Sequence, residues 1–141
     1  FNIEGEKIGE HEGAHFYTIG QRHIGVAART SGGGTARHYV ALKDVATNAV
    51  VVAEGPDHPA LYRKNLTLTD VNFVRPITNY QLPITIYARV RYRQPLSSAT
   101  LARNGARYML TFAEPQKFVA PGQSAVMYLK HGELIGGGII L

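Results

Sequence analysis

The chain has 141 residues, of which 45% are hydrophobic and 18% are charged, a composition typical of a folded domain rather than a disordered one. It contains no cysteine, which excludes disulfides, thiolate zinc sites and a cysteine nucleophile from this sequence. The formal charge is +5, and the excess lies in residues 66–141, which hold eight Lys or Arg and three Asp or Glu. This asymmetry fits a polyanionic partner, and it equally fits a basic surface without one.

The N-terminal end begins at Phe1 and runs directly into patterned sequence, without a basic region followed by an apolar stretch. We therefore expect a piece of a longer polypeptide and no signal peptide. No window approaches the ~18 apolar residues that a membrane-spanning helix needs. These features favour a cytoplasmic protein.

The first motif, His11-Glu-Gly-Ala-His15, matches the zinc-peptidase pattern, in which two His one helical turn apart bind zinc and the Glu activates water. That chemistry needs a helix. Gly9, Gly13 and Gly20 bracket and interrupt the segment, and each glycine costs about 1 kcal/mol in a helix interior. We expect a loop that leads into a strand over residues 15–19, with one His making a structural hydrogen bond and no metal bound.

The glycine-rich segment Ser31-Gly-Gly-Gly-Thr-Ala36 resembles a phosphate-binding loop, because consecutive glycines let backbone N–H groups converge on an anion. It lacks a preceding strand, a following helix and a Lys for the phosphate. A surface loop is the better interpretation. Strands are then predicted over His38–Asp44 and Ala49–Glu54, with Thr47-Asn48 at the turn between them.

Gly55-Pro-Asp-His-Pro59 interrupts any strand, so we place a boundary between two small β units near residues 56–66. The predicted domains are residues 1–65 and residues 66–141. In the second, strands are expected at 66–73, 83–93, 99–103, 107–113, 124–128 and 133–141. Asn104-Gly105 predicts a type I′ turn that makes residues 99–113 a hairpin. The fold class is all-β, and at this strand spacing the second unit is either a small closed barrel or a sandwich, since closure removes exposed edges.

Residues 84–94 alternate strictly, which puts Ile84, Ile86, Ala88, Val90 and Tyr92 on one strand face. The other face then carries four residues: Tyr87, Arg89, Arg91 and Arg93. The arginines form either a solvated face or a row of guanidinium groups for backbone phosphates. Near the strand end, Tyr92 offers a surface on which an unpaired base can stack.

Six motifs, taken together and in order, resemble the tRNA-specific 2-thiouridylases, which carry an older methyltransferase label. They are Gly9-Glu-His-Glu-Gly13, Tyr17-Thr-Ile-Gly-Gln-Arg22, Tyr39-Val40 with Asp44 and Asn48, Arg91-Tyr-Arg-Gln94, Pro121-Gly-Gln-Ser-Ala-Val126 and Gly136-Gly-Gly-Ile-Ile140. The resemblance covers nearly the whole chain. The sequence departs from the family pattern at His23-Ile-Gly-Val26, where Lys-Gly-Leu-Gly is usual, and at His38, where Trp is usual.

The resemblance implies a tRNA-uridine 2-sulfurtransferase that uses ATP, with Mg, to adenylate position 2 of the wobble uridine before sulfur is installed there. The family's ATP loop, Ser-Gly-Gly-x-Asp-Ser, and its two catalytic cysteines belong to an N-terminal domain. Here Thr35 and Ala36 stand where that loop has Asp and Ser, and cysteine is absent. The resemblance thus implies only the family's small central β domain, followed by its C-terminal antiparallel β-barrel. It implies no catalytic residue in this chain and no activity of this part alone. It also implies a sulfur-donor protein that acts through the N-terminal domain.

Carried over by matching position, the family's tRNA contacts fall on Arg91, Tyr92 and Gln123, to which the alternating pattern adds Arg89 and Arg93. Three further candidates lie in the first domain: Tyr17, Gln21 and Arg22, for which packing and turn formation are equally good explanations. Two rivals remain open at this point. One is a translation-factor-like barrel that contacts protein or RNA without a thiolation role, and the other is a stand-alone metallohydrolase based on the His11–His15 motif.

Overall fold

The computed structural model describes residues 1–22, 24–25 and 37–141, and over these residues the chain is all-β, as predicted. It divides into two compact units, Phe1–Tyr62 and Arg63–Leu141. The division predicted between residues 65 and 66 lies inside a strand that begins at Tyr62. The apolar residues of this strand begin only at Leu66, which is why the sequence placed its start too late. No helix among the described residues is long and apolar enough to cross a membrane.

The first unit contains a two-stranded antiparallel sheet of β1 (His38–Asp44) and β2 (Ala49–Glu54), with the bounds that the sequence predicted. The predicted turn residues lie in a four-residue loop, because Asp44 pairs with Ala49. Inside the loop, Asp44 Oδ1 accepts hydrogen bonds from the backbone N–H groups of Ala46 at 2.9 Å and Thr47 at 3.3 Å. Hydrogen bonds from Thr47, its side chain first, and from Ala46 hold the pKa of Asp44 below its ordinary value.

The strand predicted over residues 15–19 is wrong. Residues Ala14–Phe16 form a 3₁₀ turn, in which the N–H groups of Phe16 and Tyr17 donate at 3.2 Å to the carbonyls of Gly13 and Ala14. The Ala14 N–H donates to Asn48 Oδ1 at 2.8 Å. These backbone N–H groups therefore bond to nearby carbonyls and to a side chain, and not to a neighbouring strand. The glycine-rich loop of residues 31–36 lies outside the described residues.

The second unit is a closed six-stranded barrel, in which every described strand has two hydrogen-bonded neighbours. Its strands are β3 (Tyr62–Phe73), β4 (Ile84–Arg89), β5 (Ser97–Asn104), β6 (Arg107–Lys117), β7 (Ser124–Tyr128) and β8 (Leu134–Ile140). Their order around the barrel is β3-β6-β5-β4-β7-β8. Closure leaves no exposed sheet edge, as the spacing of the predicted strands suggested.

The barrel interior is filled by side chains that alternate along these strands. The largest fully buried ones include Phe112, Leu68, Ile86, Leu101 and Met127. Where β8 pairs with β3, Gly136 lies so close to β3 that an added Cβ would be 2.2 Å from the carbonyl oxygen of Asn72. Only a residue without a side chain fits at that position.

The predicted hairpin of residues 99–113 is confirmed, with residues 99–104 of β5 paired to residues 107–112 of β6. Its turn differs by one residue from the expectation. Asn104 pairs with Arg107, so the two loop residues are Gly105 and Ala106, and the positive φ of 62° belongs to Gly105 alone. A positive φ at the first loop position is typical of a type II′ turn, not of the type I′ turn that Asn-Gly predicted.

The strand predicted over residues 83–93 is shorter than expected, because β4 ends at Arg89. Ile86, Ala88 and Val90 are buried, as the alternation predicted. Tyr92, predicted on the same face, is instead 85% exposed. The Gln94 N–H donates to the Arg91 carbonyl at 3.1 Å, which makes a turn and breaks the two-residue period after Val90. The arginines therefore do not form a row on one strand.

Candidate functional site

An open groove of about 700 Å³ lies at one end of the barrel, between the end of β4 and the start of β7. Its lining consists of two short segments and one further side chain: Arg89 to Tyr92, Gly122 to Ser124, and Val126. The two segments meet because β4 and β7 are antiparallel neighbours, with Arg89 opposite Val126. Beyond this pair β4 ends, and the space between the segments opens into the groove.

Arg89 is the last residue of β4 and is held in place from two directions. Its Nη2 donates to the Tyr128 hydroxyl at 3.1 Å, and its Nη1 donates to the Tyr92 carbonyl at 3.2 Å. Its Cζ lies 5.6 Å from the Tyr128 ring centre and 5.8 Å from that of Tyr92. Arg89 thus links the strand to the turn that follows it, while it adds positive charge to the groove.

Arg91 lies in that turn, and its guanidinium carbon is 5.5 Å from the ring centre of Phe118. The same ring has the Nζ of Lys117 at 5.1 Å, so one aromatic side chain lies close to two cations. Phe118 adopts a positive φ of 57°, an uncommon conformation for an aromatic residue. Lys117 and Phe118 were not predicted as site residues, and only the basic character of residues 66–141 pointed towards the lysine.

Tyr92 is the most exposed of the large hydrophobic side chains in the groove, at 85%. An exposed ring beside cationic side chains is suited to stacking against an unpaired base. Arg93 is also exposed and follows directly in the turn, but it is not part of the groove lining. Of the three arginines expected to act together, the structure therefore brings Arg89 and Arg91 into the groove.

Gln123 reaches the groove from the opposite side, in the segment between Ala120 and β7. Its N–H donates to the Ala120 carbonyl at 3.3 Å, and its carbonyl accepts from the Ile140 N–H at 2.8 Å. The Gly122 N–H donates to the Ile140 carbonyl at 2.7 Å, with a positive φ of 85° at that glycine. These backbone bonds tie the segment to the end of β8 and leave the Gln123 side chain at the groove.

In the first unit, the structure gives Tyr17 and Gln21 roles in local folding. The Tyr17 ring meets the His11 ring edge-on with centroids 5.4 Å apart, and the Lys43 Nζ donates to the Tyr17 carbonyl at 2.8 Å. Gln21 Oε1 accepts from the Thr18 N–H at 3.0 Å. Arg22 is exposed. An RNA contact by any of the three stays a prediction.

The His11–His15 motif does not have the helical geometry of a zinc peptidase. His11 Nδ1 accepts a hydrogen bond from the Gly13 N–H at 3.2 Å, which is the structural bond that the sequence suggested. The exposed His15 ring lies against Phe16, with centroids 4.0 Å apart. Among the described residues, no three His, Asp or Glu side chains form a group that could hold a metal ion.

Comparison with known proteins finds a matching family for each of the two units. Residues 63–140 match the family described as the aminomethyltransferase beta-barrel domain, and residues 1–54 match the tRNA methyl transferase PRC-barrel domain. The chain is 42% identical over 139 residues to proteins named tRNA-specific 2-thiouridylase MnmA from Pseudomonas fluorescens and Pseudomonas putida. It is 37% identical over 140 residues to that of Stutzerimonas stutzeri. The alignments cover 97% or 98% of this chain and 36% of each relative.

Proposed function

This chain belongs to the tRNA-specific 2-thiouridylase family, and from that premise we propose that its barrel binds tRNA while another domain of the enzyme modifies the wobble uridine. The chain spans 36% of the length of the curated relatives it matches. It contains no cysteine, so a thiol that transfers sulfur has to come from elsewhere in the enzyme. The role of this part is to hold and orient the substrate.

The observation that carries the proposal is the groove between β4 and β7. It brings Arg89, Arg91, Tyr92 and Gln123 together from two separate motifs. Guanidinium groups pair well with phosphate oxygens, an exposed aromatic ring can stack on an unpaired base, and an amide can hydrogen-bond to a base edge or a ribose. Lys117, close to Phe118 beside Arg91, adds a further cation at this end of the barrel.

We propose that the barrel holds the anticodon arm of the tRNA, because the base to be modified lies there and because anticodon bases are unpaired. The complete enzyme uses ATP with Mg in its N-terminal domain to activate position 2 of the uridine, and a sulfur-donor protein delivers sulfur through that domain. This part has no activity alone. A cytoplasmic location also stays a prediction.

The test is the exchange of Arg91 for Ala in a full-length thiouridylase that carries this sequence, with tRNA affinity measured at a series of salt concentrations. Each phosphate contact contributes about 0.7–0.9 to the slope of log affinity against log salt. Arg91→Ala should lower the slope by roughly that amount and weaken binding across many tRNAs, since phosphate contacts carry little sequence information. Thiolation at limiting tRNA should fall with the affinity.

Arg107→Ala is the matched control, because Arg107 is an exposed arginine of the same barrel that does not line the groove. It should change the slope much less. If the arginines contact only solvent, Arg91→Ala should leave both tRNA affinity and thiolation unchanged, and that result would refute the proposal. The rival role, a barrel that contacts protein, predicts the same lack of effect on tRNA binding.

A further inference from the structure

The turn that presents Arg91 and Tyr92 is closed by one residue, Gln94, which uses both its backbone N–H and its side chain. The Gln94 N–H donates to the Arg91 carbonyl at 3.1 Å, and Gln94 Oε1 accepts from the Val90 N–H at 3.4 Å. Val90 is buried in the barrel interior, whereas Tyr92 in the middle of the turn is exposed. Gln94 therefore joins the exposed part of the turn to its buried start.

Gln94 is in turn held by Gln116 of β6, a buried polar residue with 5% exposure. The Gln94 Nε2 donates to Gln116 Oε1 at 2.6 Å, and the Ser97 hydroxyl donates to the same oxygen at 3.4 Å. Gln116 Nε2 donates to the Glu114 carbonyl at 2.8 Å. Both ends of the buried amide thus have partners, and this set of bonds defines which way each amide group faces.

We propose that Gln94 and Gln116 are positioning residues that hold the Arg91–Tyr92 turn in the conformation that binds RNA. The inference rests on the function proposed for the groove. It goes further by assigning roles to two residues that do not line the groove and that act only through the turn. A turn ordered before binding loses less conformational entropy when RNA arrives, so the pair raises affinity without touching the ligand.

The experiment measures tRNA affinity and salt dependence for Gln94→Ala in the full-length enzyme. We expect affinity to fall about threefold to tenfold, which is the effect of an additional ordering cost on binding. The slope against salt should stay unchanged, because no cation is lost. Gln81→Ala is the control, since Gln81 is an exposed glutamine outside the groove, and it should leave affinity unchanged.

A double-mutant cycle separates positioning from a general loss of stability. If Gln94 acts through the turn, Gln94→Ala should cost much less affinity in a Tyr92→Ala background than in the wild type. Additive losses in the two backgrounds would overturn the inference, as would wild-type affinity for Gln94→Ala. Gln94→Met, which keeps the length of the side chain without its amide, gives the same comparison if the alanine variant does not fold.

Arg91→Ala and Tyr92→Ala test whether the groove binds RNA, and Gln94→Ala tests the positioning role. If Arg91→Ala and Tyr92→Ala both weaken tRNA binding while Gln94→Ala does not, the positioning role is wrong and the RNA groove stands. If neither Arg91→Ala nor Tyr92→Ala changes tRNA binding, the groove does not bind RNA and both proposals fail.

Discussion

Arg89 and Tyr128 lie on the neighbouring strands β4 and β7, and the Nη2 of Arg89 donates to the Tyr128 hydroxyl at 3.1 Å. The guanidinium carbon also lies 5.6 Å from the tyrosine ring centre. A cation held in this way keeps its charge but loses much of its rotational freedom. Arg89 is therefore suited to present a preformed positive site at the edge of the groove.

Removal of the Tyr128 hydroxyl should loosen Arg89 without changing the charge of the groove. For Tyr128→Phe we expect a loss of tRNA affinity smaller than the ~0.5–1.5 kcal/mol net value of one hydrogen bond, because this bond lies within the protein, with an unchanged salt slope. Isothermal titration calorimetry or fluorescence titration of the full-length enzyme at several salt concentrations measures both the affinity and the slope. Tyr108→Phe, in the same barrel but packed on Phe73, is the control. A decreased slope for Tyr128→Phe would contradict this explanation.

Tyr92 should respond differently from the arginines. The ring is 85% exposed, so its loss removes little from the barrel core. If it stacks on an unpaired base, Tyr92→Ala should weaken tRNA binding by about 1–3 kcal/mol and leave the salt slope nearly intact. Tyr92→Phe keeps the ring and should retain most of the affinity. Equal losses for the two variants would point to the hydroxyl and against stacking.

Gly136 should be the most sensitive glycine of β8. An added Cβ would lie 2.2 Å from the carbonyl oxygen of Asn72, a backbone atom that cannot move without disturbing the pairing of β3 with β8. We expect Gly136→Ala to lower the free energy of unfolding by about 3 kcal/mol, the upper end of ordinary overpacking. Chemical denaturation of the chain measures this quantity.

Gly138→Ala serves as the comparison for Gly136→Ala. Its added Cβ would first meet the Cγ2 of Val71, at 2.6 Å, and a side chain can rotate away more readily than a backbone carbonyl. The loss should therefore be smaller than at Gly136. If Gly138→Ala is the more destabilising of the two, the pairing of β3 with β8 is not as tightly constrained at Gly136 as the geometry indicates.

The His11–His15 segment leads to a prediction about metal content. His11 Nδ1 already accepts the Gly13 N–H, and residues Ala14–Phe16 form a 3₁₀ turn instead of the α-helix that the zinc pattern needs. We expect no stoichiometric zinc after purification without chelator, as measured by elemental analysis. One equivalent of tightly held zinc, lost in a His11→Ala variant, would show that the motif binds metal after all.

Much of the fold follows from local sequence. Short runs of β-branched and aromatic residues, separated by Gly, Pro, Asn and Asp, predicted β1, β2 and β7 with the observed bounds, because such side chains favour the extended backbone and turn residues end it. Alternation failed at residues 90–94. There the turn that Gln94 closes overrides the strand period, and it is held by the buried Gln116 from a distant part of the sequence.

By itself the sequence determined the all-β class, the family, and the residue types suited to RNA, because composition, periodicity and motif order are read directly from the chain. Only the tertiary structure decided which of these residues lie together. Barrel closure places β4 beside β7, which brings Gln123 to Arg91 and Tyr92 and leaves Arg93 outside the groove. Strand pairing joins residues far apart in the chain, and no local pattern records which strands become neighbours.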